Sequence, residues 1–87
     1  MRAMQKGNTK IKIAEHIILK NFWEYYVIER DQDQEGIAFC LVIGLETELG
    51  DVYLPEIAPY IISRTKKIDE VAPATGWSWV EEQGGES

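Results

Sequence analysis

Two stretches of aromatic and β-branched residues, each followed by a polar turn closed by glycine, limit what this chain can become. Residues 22–30, Phe-Trp-Glu-Tyr-Tyr-Val-Ile-Glu-Arg, and residues 37–45, Ile-Ala-Phe-Cys-Leu-Val-Ile-Gly-Leu, have the composition of strands. In extended backbone, successive side chains point to opposite faces. Trp23, Tyr25 and Val27 then share one face, and Glu24, Tyr26, Ile28 and Arg30 the other. In the second stretch Ile37, Phe39, Leu41, Ile43 and Leu45 form a face of large residues, and Ala38, Cys40, Val42 and Gly44 a face of small ones. That contrast predicts a thick core on one side and a closely approaching element on the other. The turns fall at Asp31–Gly36 and Glu46–Gly50, and a short third strand follows at 51–54. Neighbouring strands without crossover helices imply an antiparallel meander.

The flanking sequence is read around that meander. Ile13, Ala14, Ile17 and Ile18 recur at helical spacing behind a Thr9 N-cap, which predicts a helix over 10–20; the competing reading is a strand, because Ile11 and Ile13 alternate with lysines. Pro55 suits the first position of a helix, with Glu56 in its first turn and Ile57, Ala58, Ile61 and Ile62 as its stripe. Residues 63–67 read as a basic turn, and Gly76-Trp-Ser-Trp-Val80 alternates as a late strand. The expected fold is therefore α+β: a small antiparallel β-meander of three to four strands, an N-terminal helix or strand, and a short helix after the third strand. Residues 1–9 are expected to be flexible, 10–80 to form a single domain, and 81–87 to be a disordered acidic tail.

Bulk properties exclude several classes. A chain of 87 residues buries about 60–65% of its unfolded surface, so a partner or a second copy would add usefully to its stability. Cys40 is the only cysteine, which rules out a disulfide within the chain and fits a reducing, cytoplasmic setting. The longest apolar run, Ile37–Ile43, is far too short to span a membrane as a helix, and no apolar segment of signal-peptide type follows the N-terminus. The net charge of −6 is uneven. Residues 1–21 carry Arg2, Lys6, Lys10, Lys12 and Lys20 against Glu15, giving +4; residues 24–56 carry nine acidic groups against Arg30, giving −8.

Candidate chemistry is sparse. Asp31, Asp33 and Glu35 before Gly36 resemble the first half of a calcium loop, but the position that should supply a bidentate glutamate is Val42, and a solvated turn is the better reading. Glu46, Glu48 and Asp51 could serve an enzyme or a metal-dependent hydrolase fragment, yet carboxylates in a glycine-closed turn are expected to be solvated. His16 is the only histidine and reads as a helix-surface residue, and Cys40 as a buried, unreactive thiol. Trp77 and Trp79 either close the core or anchor a partner. Lys10, Lys12, Arg64, Lys66 and Lys67 would serve a weak nucleic-acid binder, a reading set against the negative overall field. No metal and no cofactor are expected.

Three segments carry a resemblance. Trp23-Glu-Tyr-Tyr-Val-Ile-Glu29, then Phe39-Cys-Leu-Val-Ile-Gly-Leu-Glu-Thr-Glu-Leu-Gly50, then Tyr53-Leu-Pro-Glu-Ile57 resemble a bacterial domain family of unknown function found largely on plasmids, phages and other mobile elements. Its members run as W-x-W-Y-x-x-E, a polar turn, and F-G-L-V-x-G-x-E-x-E-L-G-Y-x-S-L-x-E-L. Cys40 stands where members usually have glycine, and Asp51 where they have an aromatic. The resemblance implies the meander and a mobile-element setting, and it brings no catalytic residues. With the charge layout, it makes a non-enzymatic protein-interaction module the leading expectation. Asp31, Asp33, Glu35, Glu46, Glu48, Asp51, Trp77 and Trp79 are the candidate contacts for a protein with a basic surface, such as a nucleic-acid-processing enzyme, and an anti-defence inhibitor that mimics nucleic acid is the sharper form of this reading.

Phe39, Leu41 and Ile43 are expected in the core. Leu41→Ala should cost about 2–5 kcal/mol, measured by chemical denaturation; a loss under about 1 kcal/mol would mean that this face is not packed.

Overall fold

The computed structural model describes residues 2–81. The strands are β1 (Arg2–Lys6), β2 (Thr9–Lys12), β3 (Glu15–Leu19), β4 (Glu24–Arg30), β5 (Ile37–Ile43), β6 (Thr47–Tyr53), β7 (Ile61–Thr65) and β8 (Ser78–Glu81). One short helix, α1 (Leu54–Ile57), runs into a 3-10 turn, Ala58–Tyr60, and a second 3-10 turn spans Ile68–Glu70. The strands form two antiparallel sheets, one of three strands in the order β2-β1-β8 and one of five in the order β6-β5-β4-β3-β7.

This corrects the expected α+β fold with a small meander of three to four strands: the described residues are mostly β, in two sheets. The meander exists as β4-β5-β6, inside a larger sheet. The helix expected over 10–20 is two strands. β3 is buried on both faces, with Glu15, His16, Ile17 and Leu19 all buried, so it lacks the polar-out alternation by which a strand is usually read. Residues 2–6, expected to be flexible, form β1, with Ala3 and Met4 fully buried. They pair with β2 through the two-residue turn Gly7-Asn8, where Gly7 has φ +59°. The helical stripe through Ile61 and Ile62 ends early, because Pro59 lies in the 3-10 turn and both isoleucines enter β7 beside β3. The second turn is only Gly44–Glu46, since Thr47 already pairs with Ile43; Gly50, read as closing that turn, lies inside β6 opposite Cys40. Of the tail expected at 81–87, Glu81 ends β8 and 82–87 lie outside the described residues.

β6 and β7 are opposite edges of the five-stranded sheet. In a flat sheet they would lie about 19 Å apart, four spacings of about 4.8 Å. The four residues of α1 and the three of the 3-10 turn must make that crossing, and they reach only about 12 Å at helical rise. The sheet therefore curls until its edges approach. The crossover is tied at both ends: Leu54 N–H donates to the Gly36 carbonyl, and Lys20 N–H donates to that of Tyr60.

Each face of the curled sheet has its own core. Under the crossover, Leu54 and Ile57 pack with Ile17, Leu19, Tyr25, Val27, Ala38 and Cys40. Ala38 and Cys40 are 0% exposed, so the small-residue face of β5 is the face that α1 closely covers. On the other side, the three-stranded sheet and residues 68–79 pack Met4, Ile13, Ile68, Ala74, Trp77 and Trp79 around Tyr26 and Leu41. The expectation that Phe39, Leu41 and Ile43 are all core needs correcting: Leu41 is buried and Ile43 partly so, but Phe39 is 39% exposed. Phe39 pairs with Asp51 of the edge strand β6, where the packing against the second core runs out.

One charge is buried in this frame. The Glu15 carboxylate accepts hydrogen bonds from Arg64 Nε and Nη2 and from Arg30 Nη2. Burial pushes its pKa up, but the Arg64 hydrogen bond and charge, with Arg30 and Lys66 beyond, outweigh that and hold it below the ordinary value of 4.5. A carboxyl with a depressed folded-state pKa contributes stability above its unfolded value and loses it as pH falls through the folded one. Glu15→Gln is therefore expected to cost about 1–3 kcal/mol at neutral pH, with the difference from the parent shrinking as pH drops below 4.5. Urea denaturation across pH checks this, and a difference independent of pH would contradict it.

Candidate functional site

The carboxylates singled out in the sequence are not all brought together. Asp31 Oδ1 accepts the backbone N–H groups of Asp33 and Gln34, at 2.8 and 2.9 Å, and so shapes its own turn. Asp33 and Glu35 stand exposed on that turn. Glu46, Glu48 and Asp51 all border a groove of about 420 Å³ lined also by Trp23, Val42, Leu45 and Gly50, although strand alternation sets Glu48 and Asp51 on opposite faces of β6. Asp51 borders a second hollow with Glu29, Arg30, Asp31 and Phe39. Among the described residues no group of three or more acidic, histidine or cysteine side chains is placed to hold a metal ion.

The groove is built by local geometry. Glu48 pairs with Val42 and Gly50 with Cys40, so these positions share the face on which Trp23 packs. Trp23 lies on Gly44 so closely that a Cβ there would come within 2.6 Å of the indole. The turn before Trp23 is strained: Phe22 has φ +68°, a conformation that bulky side chains rarely adopt, and it is 78% exposed. Asn21 Oδ1 accepts the Trp23 N–H at 3.1 Å and helps to hold that turn. Leu45 is 92% exposed at the tip between β5 and β6. The result is an apolar floor with a carboxylate rim. Beside it runs the outer edge of β6, a seven-residue strand that has no neighbour on that side among the described residues and carries exposed Leu49 and Tyr53.

Trp77 and Trp79 lie elsewhere, packed against the second core. Trp79 Nε1 donates to the Val71 carbonyl at 2.7 Å, and the Arg2 guanidinium sits 4.6 Å from its ring centroid. Trp77 Nε1 is buried with no hydrogen-bond partner among the described residues. Of the basic residues, Arg64 is occupied by Glu15, and Lys66 and Lys67 flank that pair. Cys40 is fully buried, and burial pushes its thiol up to about 11, the state of an inert structural cysteine.

Sequence reasoning missed a polar group on the opposite face. His16, read as a surface residue, is buried in β3; its Nε2 lies 2.8 Å from Glu24 Oε1, and its ring centroid 4.5 Å from that of Tyr26. The Tyr26 hydroxyl lies 3.2 Å from the same oxygen and 3.1 Å from the Ala72 carbonyl. Burial, then the charge and hydrogen bond of Glu24, push the Tyr26 pKa up. The available signal was the strand alternative for 10–20, which places His16 on one face of an extended segment.

Comparison with protein-family models, with curated proteins and with solved structures returns no match. No helix among the described residues is long and apolar enough to cross a membrane.

The Gly44–Trp23 contact generates a prediction. Gly44→Ala should destabilise the protein by about 1–3 kcal/mol, because the methyl displaces a large ring. Denaturant unfolding measures the loss, and the tryptophan emission of the folded state should shift as Trp23 moves. Unchanged stability and emission would show that Trp23 is not seated on Gly44.

Proposed function

We propose that this protein is a non-enzymatic interaction module that binds a basic, extended segment of a partner protein along β6. The observation that carries the reading is the groove itself: Trp23 and Leu45 beside Glu46, Glu48 and Asp51, next to a strand edge that no described residue pairs with. A lysine or arginine of the partner fits it twice over. Its aliphatic stem would lie on the apolar floor, and its cationic head would reach the carboxylates and the face of Trp23. The edge supplies backbone N–H and C=O groups for strand addition, a common mode of peptide recognition. β6 lacks the lysines and proline that usually blunt an exposed edge. A second copy of the same edge is a poor partner, since Glu48 and Asp51 would face like charges.

The charge of residues 24–56 would steer such a partner, and the resemblance to mobile-element proteins agrees with an inhibitor aimed at a basic, nucleic-acid-processing enzyme. The single buried thiol fits a cytoplasmic home. An enzymatic reading of Glu46, Glu48 and Asp51 has less support, because all three stand exposed to solvent rather than in an enclosed cleft.

The test is a peptide of alternating lysine and valine, with an alternating glutamate and valine peptide as control. The lysine peptide should bind with an affinity that falls as salt rises, and the control should not bind. The triple variant Glu46→Gln, Glu48→Gln and Asp51→Asn should keep the parent circular dichroism, since exposed charges add little stability. Its association with the lysine peptide should slow by about tenfold at low salt, and the gap should close at high salt. Association as fast as the parent's at every salt concentration would end the acidic-edge reading. Unchanged binding of a peptide methylated at its backbone nitrogens would remove strand addition from it.

A further inference from the structure

We infer that the cavity behind His16, Glu24 and Tyr26 is a binding site for a small primary amine with a short branched aliphatic body. It lies on the opposite face of the sheet from the acidic groove and stands independently of it. The cavity measures about 510 Å³, within the range of small-molecule sites. Its floor is a grid set by strand register: His16 lies between Tyr26 and Thr65, and Ile18 lies between Glu24 and Ser63. Residues 70–75 form the wall that rises over this floor.

The polar floor is not what a sheet needs for stability. An apolar residue in place of the buried His16 would complete the second core more cheaply; Glu24 beside it stays 36% exposed. The arrangement instead aims one group. An ionised carboxylate only accepts, so His16 Nε2 donates to Glu24 Oε1, while the single Tyr26 hydroxyl proton is shared between that oxygen and the Ala72 carbonyl. The Glu24 side chain lines the cavity and stays partly exposed, so its carboxylate can be reached by a ligand from that side. Both donors can satisfy the carboxylate without bringing a formal positive charge, and Lys67 on the rim makes no ion pair with it. Glu70 adds a second carboxylate to the lining. A cation with N–H groups is the ligand that such a site lacks. Ile18, Ile43 and Val71 form the apolar part of the wall, which suits a body of four or five carbons rather than a bare ammonium ion.

The charge series tests this on the unmodified protein. Isoamylamine, isoamyl alcohol and isovalerate share one skeleton and differ in charge at neutral pH. In amide-resolved NMR titrations, isoamylamine should give saturable shifts at His16, Glu24, Tyr26 and residues 70–75. The alcohol and the carboxylate should bind at least about tenfold more weakly. Glu24→Gln keeps an oxygen for His16 and Tyr26 to reach but removes the charge, and it should abolish the preference for the amine. No saturable shift with the amine up to tens of millimolar, or equal binding of all three compounds, overturns the proposal. So does a folded Glu24→Gln protein that still prefers the amine. Should that variant fail to fold, the three-compound series on the parent decides alone. Failure here leaves the lysine-peptide result at β6 untouched, and the reverse holds.

Discussion

The structure turns on seven residues that must join opposite edges of a sheet. Leu54–Ile57 and Ala58–Tyr60 are too short to cross a flat five-stranded sheet, so the sheet curls toward them. Curling brings α1 close to β5, and only small side chains fit beneath it, which is why Ala38 and Cys40 are fully buried there. The hydrogen bonds at the two ends, Leu54 to Gly36 and Lys20 to Tyr60, lock the crossover to the turns at either end of the sheet. With one face closed this way, the other is left for the three-stranded sheet, whose Met4 completes a second core around Tyr26 and Leu41.

Polar groups inside this frame divide by what balances them. Glu15 is held by two arginines whose heads stay half in water, so its charge is offset within the protein. Glu24 is held by groups that can remain neutral, and its side chain stays partly exposed. The two carboxylates lie on strands that pair with each other, β3 and β4, yet one is a structural clamp and the other is the base of a cavity. The difference lies in which cations the fold delivers: β7 carries Arg64 to Glu15, but it presents Ser63 and Thr65 to the cavity near Glu24.

The exposed features gather at the opposite edge. Glu46, Glu48 and Asp51 were legible as candidates because they cluster in the chain, and the groove joins them to Trp23, which comes from another hairpin. Asp31, Asp33 and Glu35 cluster just as tightly in sequence, but Asp31 is spent on backbone N–H groups of its own turn. Sequence proximity alone does not distinguish a carboxylate that caps a turn from one that lines a groove. Trp77 and Trp79 show the same limit: their period-2 spacing gave a shared face, but only packing showed that this face meets the second core.

By itself the sequence determined the strands β4 and β5, their faces, the turn at 31–36, the proline-led α1 and a late strand near Trp79. These depend on local preferences: β-branched and aromatic runs, glycine at positive φ, and a proline where no N–H is needed. It also separated the large and small faces of β5 before either had a partner. Tertiary structure decided the rest. Residues 10–20 carry a pattern that suits helix or strand, and β3 became a strand because β4 and β7 pair with both of its edges. Residues 2–6 have too little apolar periodicity to announce a strand, yet β1 is held between β2 and β8, the latter more than seventy residues away in the chain. The placement of His16 beside Glu24 and Tyr26 has the same origin. Cross-strand contacts depend on register, and register is settled only when the whole sheet assembles around its curl.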